Sequence, residues 1–190
     1  MKWRVQLDRI RVSGVSESPV HFLFKAGQDK QVVLEVGSFQ DVRPGNVELV
    51  VELILDQPDT QLRLFVTSIT HPGQQHNIKT IQRHTAANTV SSVTVRSVVY
   101  QNACHTYHAT ITLEPGSFNA DAQQENKIIV LGDYAPVVSE PTLHITHNDV
   151  RCGHGTAIGQ LDQEQLLALQ LRGIESKKAE TILLEAFLKN

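Results

Sequence analysis

A flattened β-solenoid followed by two short helices is the fold class this sequence predicts, and three observations carry the prediction. The segment VELVVELIL places Val47, Leu49, Val51, Leu53 and Leu55 on one face and Glu48, Glu52 and Asp56 on the other, the period of two expected of a half-buried strand. Comparable apolar segments begin near Val32, Val47, Leu62, Ile78, Val93, Ala109, Ile128 and Leu143, a nearly constant step of 15 to 19 residues. Turn residues punctuate the steps as RPGN (43–46), DQPDT (56–60), HPGQQ (71–75), EPGS (114–117) and GDYAP (132–136). Sandwich strands recur every ~8–12 residues, whereas a longer fixed step suits stacked coils of two strands each. No consensus repeats, so on periodicity alone a sandwich with long loops stays open.

The two helices are read from their ends. Asp162 stands at an N-cap position with Gln165 three residues on as its capping-box partner, and Gly173 after Arg172 stops the first helix, giving a helix over about 163–172. Ser176 caps a second over 177–188, in which Ala179, Ile182, Leu183, Ala186 and Phe187 fall on one stripe. A stripe of that width needs cover. It either caps the open end of the solenoid, as terminal repeats require, or meets a partner.

With 190 residues, 41% hydrophobic and 19% charged, the chain can bury a core as one domain, or one domain with a small appendage. A net charge of -3 without any Lys/Arg stripe argues against a nucleic-acid partner. The start, MKWRVQLDRIRVSG, alternates charged and apolar residues, and no stretch approaches the ~20 apolar residues of a membrane span. These features read as a cytoplasmic protein, in which Cys104 and Cys152 are expected as free thiols.

Nine histidines are grouped rather than scattered. Cys104, His105 and His108 form one group; His144, His147, Cys152 and His154 form another. Thiolate and imidazole suit zinc, copper and iron–sulfur centres, yet neither group has closed zinc-site spacing. Strand parity sends His105 and His108 to opposite faces, and likewise His144 and His147, so at most one of each pair joins a given site. Cys104 reads as a small buried hydrophobe near a coil corner. Gly153 and Gly155 flank His154, so Cys152 and His154 are expected together on a sharp turn, with Arg151 nearby to perturb the thiol. Nucleotide loops, the G-x-G-x-x-G fingerprint and the G-x-S-x-G elbow are all missing from the sequence, and no carboxylate pair is brought together. Intrinsic catalysis is not expected.

The carboxyl end, NDVRCGHGTAIGQLDQEQLLALQLRGIESKKAETILLEAF, resembles that of the SufB/SufD family of iron–sulfur cluster assembly scaffolds: a strand, a D-V-x-C-x-H-G turn, an L-D cap and an R-G-I helix stop in this order. RHTAANTVSSVTVRSVVYQNACHTYHATITLEP and NKIIVLGDYAPVVSEPTLHI extend the resemblance upstream to about residue 75. It implies a right-handed parallel β-helix over 1–147, of which about 75–147 matches the family, and a segment 148–190 holding the Cys-x-His-Gly turn and the helices. By motif, His154 matches the histidine implicated in cluster assembly on the SufD side, and Cys152 the cysteine of the same motif. The SufB side carries an essential cysteine where this chain reads Gln124-Glu125-Asn126-Lys127, so the resemblance is to SufD.

The resemblance further implies a non-enzymatic scaffold that pairs through its β-helix with a SufB/SufD-type partner or a second copy. Its terminal helices, with Leu166, Leu167, Ile182, Leu183 and Phe187 as candidate contacts, would dock a SufC-type ATPase. A transient iron–sulfur cluster would be shared with the partner, since two thiols are too few for the usual four cysteine ligands. A cluster-free interaction or regulatory module is the rival reading. A third, a cupin-like metal enzyme, needs several histidines converging on one inward face, which parity opposes.

Overall fold

The computed structural model describes residues 6–12, 19–25, 30–39 and 45–189. Eleven strands are followed by two helices: β1 (Gln6–Val12), β2 (Val20–Lys25), β3 (Lys30–Val36), β4 (Gly45–Leu55), β5 (Gln61–Thr70), β6 (Gln74–His84), β7 (Val90–Tyr100), β8 (Cys104–Leu113), β9 (Ala120–Leu131), β10 (Val137–Ile145), β11 (Val150–Gly159), α1 (Gln163–Gln170) and α2 (Ser176–Lys189). Odd-numbered strands form one sheet in the order β1-β3-β5-β7-β9-β11, even-numbered ones the other in the order β10-β8-β6-β4-β2. Every neighbour pair is parallel. Successive strands therefore alternate between sheets, which makes the chain a two-sheet solenoid and removes the sandwich. All eight sequence-read segments fall on strands, β3 to β10 in order.

One face of each strand points between the sheets. Around β3 and β4 that interior is apolar: Val32, Leu34, Val36, Leu49, Val51, Leu53 and Leu55 are all buried, each contributing about 1.5–3 kcal/mol relative to exposure. From β5 onward buried polar groups join the aliphatic ones, and several of them pair. Ser68 Oγ lies 2.9 Å from His76 Nδ1, and His84 sits between Thr89 and Ser91 at 2.7 Å each. The coils corner on residues in the left-handed region, Asp59 (φ 59), Asn88 (φ 56) and Asn119 (φ 54), types that tolerate it because their short side chains bond locally. These residues stack as a ladder, Asn88 Nδ2 to Asp59 Oδ1 at 2.9 Å and Asn119 Nδ2 to Asn88 Oδ1 at 3.0 Å.

Asp162 caps α1 as its sequence position predicts, its Oδ1 accepting from Glu164 N at 2.9 Å and Gln165 N at 3.2 Å. Gly173, at φ +83, closes a Schellman motif in which Ile174 N–H reaches Leu169 O at 3.2 Å and Gly173 N–H reaches Gln170 O at 2.8 Å. The helix α2 starts one residue earlier than its cap implied, with Ala179 N–H bonded to Glu175 O at 2.9 Å.

Two expectations about α2 are corrected. It does not cap the solenoid end. It lies on the outer face of the odd-numbered sheet, where Leu184 and Leu188 pack with Ile69 and Val98 against Tyr100, Ile129 and Leu131. Its buried stripe is also turned: Ala179, Leu184 and Leu188 are buried, Leu183 and Phe187 half-buried, and Ile182 and Ala186 exposed. Leu184 and Leu188 form a second apolar row beside the one read from sequence, and the apolar end of the sheet face selects that row. Arg96 is buried beneath, its guanidinium 5.8 Å from the Phe187 ring centroid and 2.9 Å from Glu125 Oε2.

Candidate functional site

Cys152 and His154 are not on a turn. They lie on β11, a strand the sequence reading missed, and neither Gly153 nor Gly155 has a positive φ. The Gly-rich run has little strand propensity of its own and is held by its register with β9, Cys152 beside Ala122 and His154 beside Gln124. A Cβ at Gly153 would meet only the end of the exposed Gln123 side chain, Oε1 at 2.9 Å, which can swing aside. Being two residues apart on a strand, Cys152 and His154 share a face, the one that continues the solenoid interior.

That interior ends here. Among the described residues β11 pairs only with β9 and β10 only with β8, so both are edge strands at one end of the coil, as β1 and β2 are at the other. The terminal inner face is left partly open, with Ile145 48% and Ile158 51% exposed. Cys152 is half-buried against Ile111, Leu113, Ala120 and Ala122, and His154 is exposed. A file of inward polar groups runs from the buried Thr80, Tyr107, Gln124 and Asn126 to half-buried Ser139 and exposed Thr156. Thr80 Oγ1 lies 2.6 Å from the Tyr107 hydroxyl, Gln124 Nε2 donates to that hydroxyl at 3.3 Å, and Asn126 Nδ2 donates to Ser139 Oγ at 3.0 Å, itself 3.3 Å from Thr156 Oγ1. Sequence reading missed this file. Its signal was present as polar residues at inward positions of strands, which the alternation alone identifies.

The Cys152 thiol is pushed up, first by burial and then by the Asp121 carboxylate, the reverse of the activation expected from Arg151. Parity puts Arg151 on the other face of β11. Cys152 is thus a half-buried neutral thiol, able to ligate a metal that displaces its proton. Both cysteines are free, with Cys104 outward and half-exposed at the start of β8 rather than buried. Among the described residues no group of three or more His, Cys, Asp or Glu could hold a metal ion, so Cys152 and His154 do not complete a site with any of them.

The other histidines divide as parity requires. His105 is inward and fully buried, 3.3 Å from Thr70 Oγ1, while His108 is outward, 3.1 Å from Glu140. His144 is outward on β10; His147, beyond the strand, lies 3.1 Å from Ser117 Oγ and tilts on the Phe118 ring. None joins Cys152 and His154 in a ligand set.

The candidate docking residues split. Leu183 and Phe187 pack onto the sheet and Leu166 is half-buried. Leu167 (54% exposed) and Ile182 (39%) point away, joined by Leu171 (80%), which sequence reading did not single out. Among the described residues no helix is long and apolar enough to cross a membrane.

The family model for the SUF system FeS cluster assembly, SufBD core domain, matches residues 21–187. The chain is 29% identical over 92 residues to the iron-sulfur cluster assembly protein SufD of Escherichia coli (strain K12), covering 48% of this chain and 22% of that protein. It is 29% identical over 123 residues to SufD of Bacillus subtilis (strain 168), covering 64% of this chain and 28% of that protein. Protein ABCI7, chloroplastic, of Arabidopsis thaliana is 38% identical over 74 residues, 36% of this chain and 16% of that protein. The matched stretches thus span between 16% and 28% of these relatives' own length.

Proposed function

This chain belongs to the SufB/SufD family, the core-domain match covering residues 21–187, and from that premise we propose that it is a non-enzymatic scaffold subunit in iron–sulfur cluster assembly. The observation that carries the reading is the placement of the family motif: Cys152 and His154 share the inner face of the last strand, at an open end of the solenoid. A cluster, as cargo, needs more thiolates than this chain offers there. An end with exposed inner-face residues and two unpaired strand edges lets a second solenoid supply them, because edge strands present free backbone donors and acceptors. A SufB/SufD-type partner, or a second copy, occupies that end in this reading. The exposed Leu167, Leu171 and Ile182 are the helical residues on which a SufC-type ATPase docks in this reading, while Leu183 and Phe187 seat α2 on the sheet and half-buried Leu166 lies at the edge of the contact. ATP-driven movement of that partner is the energy source, so the chain contributes geometry and ligation.

The test is anaerobic reconstitution with iron and sulfide in the presence of the partner subunit. His154→Ala is expected to lose most of the cluster and Cys152→Ser part of it, with the complex intact. Equal cluster content in all three proteins removes both residues from the site. The cluster-free interaction module then becomes the better account.

A further inference from the structure

Gln124 is buried on the inner face of β9, 3% exposed. Its Nε2 donates to the Tyr107 hydroxyl at 3.3 Å, and that hydroxyl lies 2.6 Å from Thr80 Oγ1. Burial pushes the Tyr107 hydroxyl well above its ordinary range, so it stays neutral, and its contact holds the Gln124 side chain in place. Gln124 Oε1, by contrast, is buried with no hydrogen-bond partner among the described residues. An orphaned buried acceptor costs about 1–3 kcal/mol, so a donor within reach is drawn to it.

The register identifies that donor. In a parallel ladder, in-register neighbours stand about 4.8 Å apart, and those of Gln124 are Val93 on β7 and His154 on β11. Val93 has nothing to donate. Diagonally placed, the Thr156 hydroxyl already contacts Ser139 at 3.3 Å, and the Cys152 thiol is a weak donor. The His154 ring has no hydrogen-bond partner among the described residues and carries a strong N–H.

We infer that Gln124 is a positioning residue for His154: its Oε1 accepts one imidazole N–H, which fixes the neutral tautomer and turns the other ring nitrogen, with its lone pair, toward the open end. This is the arrangement by which outer-shell partners orient metal-binding or proton-accepting histidines. The inference rests on the reading of His154 as the assembly residue and names what aims it. Tyr107 and Thr80 hold Gln124 in turn.

The experiment reads the His154 ring nitrogens by long-range proton–nitrogen correlation in the labelled chain, well above the ordinary histidine pKa of about 6.5. In the wild type one nitrogen is expected protonated and the other bare, with shifts displaced from free-imidazole averages. Gln124→Leu, an apolar near-isostere, moves both to those averages, and Gln124→Glu, which keeps an acceptor oxygen, holds them near wild type. Tyr107→Phe, which leaves the acceptor but frees its orientation, gives intermediate shifts and serves if Gln124→Leu unfolds. Wild-type shifts at free-imidazole values, or shifts unmoved by Gln124→Leu, overturn the inference whatever the cluster yield. With the partner present, Gln124→Leu is expected to reduce cluster content about 10-fold. Fixed tautomers combined with a cluster yield indifferent to His154→Ala uphold the positioning and sink the assembly reading, so the two fail separately.

Discussion

The interior between β3 and β4 and the interior between β10 and β11 are built on the same backbone but filled with different chemistry. The first is aliphatic and closed: Leu34, Leu49 and Leu55 have no exposure. The second holds Ser139, Thr156, Cys152 and His154 beside the exposed Ile145 and Ile158. Each coil of a solenoid contacts only its neighbours, so stability adds up locally. One stretch can therefore be packed for stability while another is left open. The open stretch sits where the coil ends, because only there is an inward-facing side chain reachable from outside.

The largest contrast is expected on truncation of packed and open positions. Leu49→Ala or Leu53→Ala, in the aliphatic stretch, should cost about 2–5 kcal/mol in urea unfolding. Thr156→Ala, at the open end, should cost about 1 kcal/mol or less, a weak hydroxyl contact being all that is lost. Equal losses would mean that the end is packed as tightly as the middle.

Acid sharpens the contrast, since the polar middle coils carry neutral histidines. Burial, aided by the neighbouring His71, lowers His76 to about 4; burial lowers His84 to about 4 against the pull of Asp121; and burial with His76 lowers His105 to about 3. The unfolded chain takes up these protons near pH 6.5 and the folded chain does not. Stability is therefore full above about pH 6.5 and falls as pH drops toward 4, by roughly 3 kcal/mol per histidine at the limit. Urea midpoints measured from pH 7 to 4 check this. His76→Leu should flatten the fall, and an unchanged slope would place its protonation elsewhere.

The covered flank and the outward helical face give a third contrast. Leu184→Ala should destabilise by about 2–4 kcal/mol, because it empties the seat of α2 on Ile69 and Val98. Leu167→Glu and Ile182→Glu should leave stability within about 0.5 kcal/mol and abolish co-purification with the ATPase. The smallest effect is at the thiol: Cys152, raised by burial and Asp121, should alkylate more slowly than an unstructured cysteine at pH 7.5. Faster alkylation would restore the activated thiol that the strand geometry removed.

Much of this architecture was legible in the sequence. The constant step between apolar segments found β3 to β10, and Asp162 and Gly173 bounded α1 through caps whose chemistry is local. β11 was not legible, because Cys-Gly-His-Gly has the composition of a turn and becomes a strand only by pairing with β9. The face of α2 was not legible either, since two adjacent apolar rows compete and the sheet beneath decides. At the candidate site, His154 and Cys152 stand out in the sequence through their motif alone. Their shared face and the link to Gln124 depend on strand register, which no local pattern encodes.

The central claim is that the open end carrying β10 and β11 is the working surface, and amide hydrogen exchange with and without the SufB/SufD-type partner tests it most directly. The account predicts strong slowing across 137–145 and 150–159 on complex formation, no change in β4, and no change in 163–189 until the ATPase is added. Unaltered exchange at β10 and β11 in a complex that demonstrably forms would contradict it.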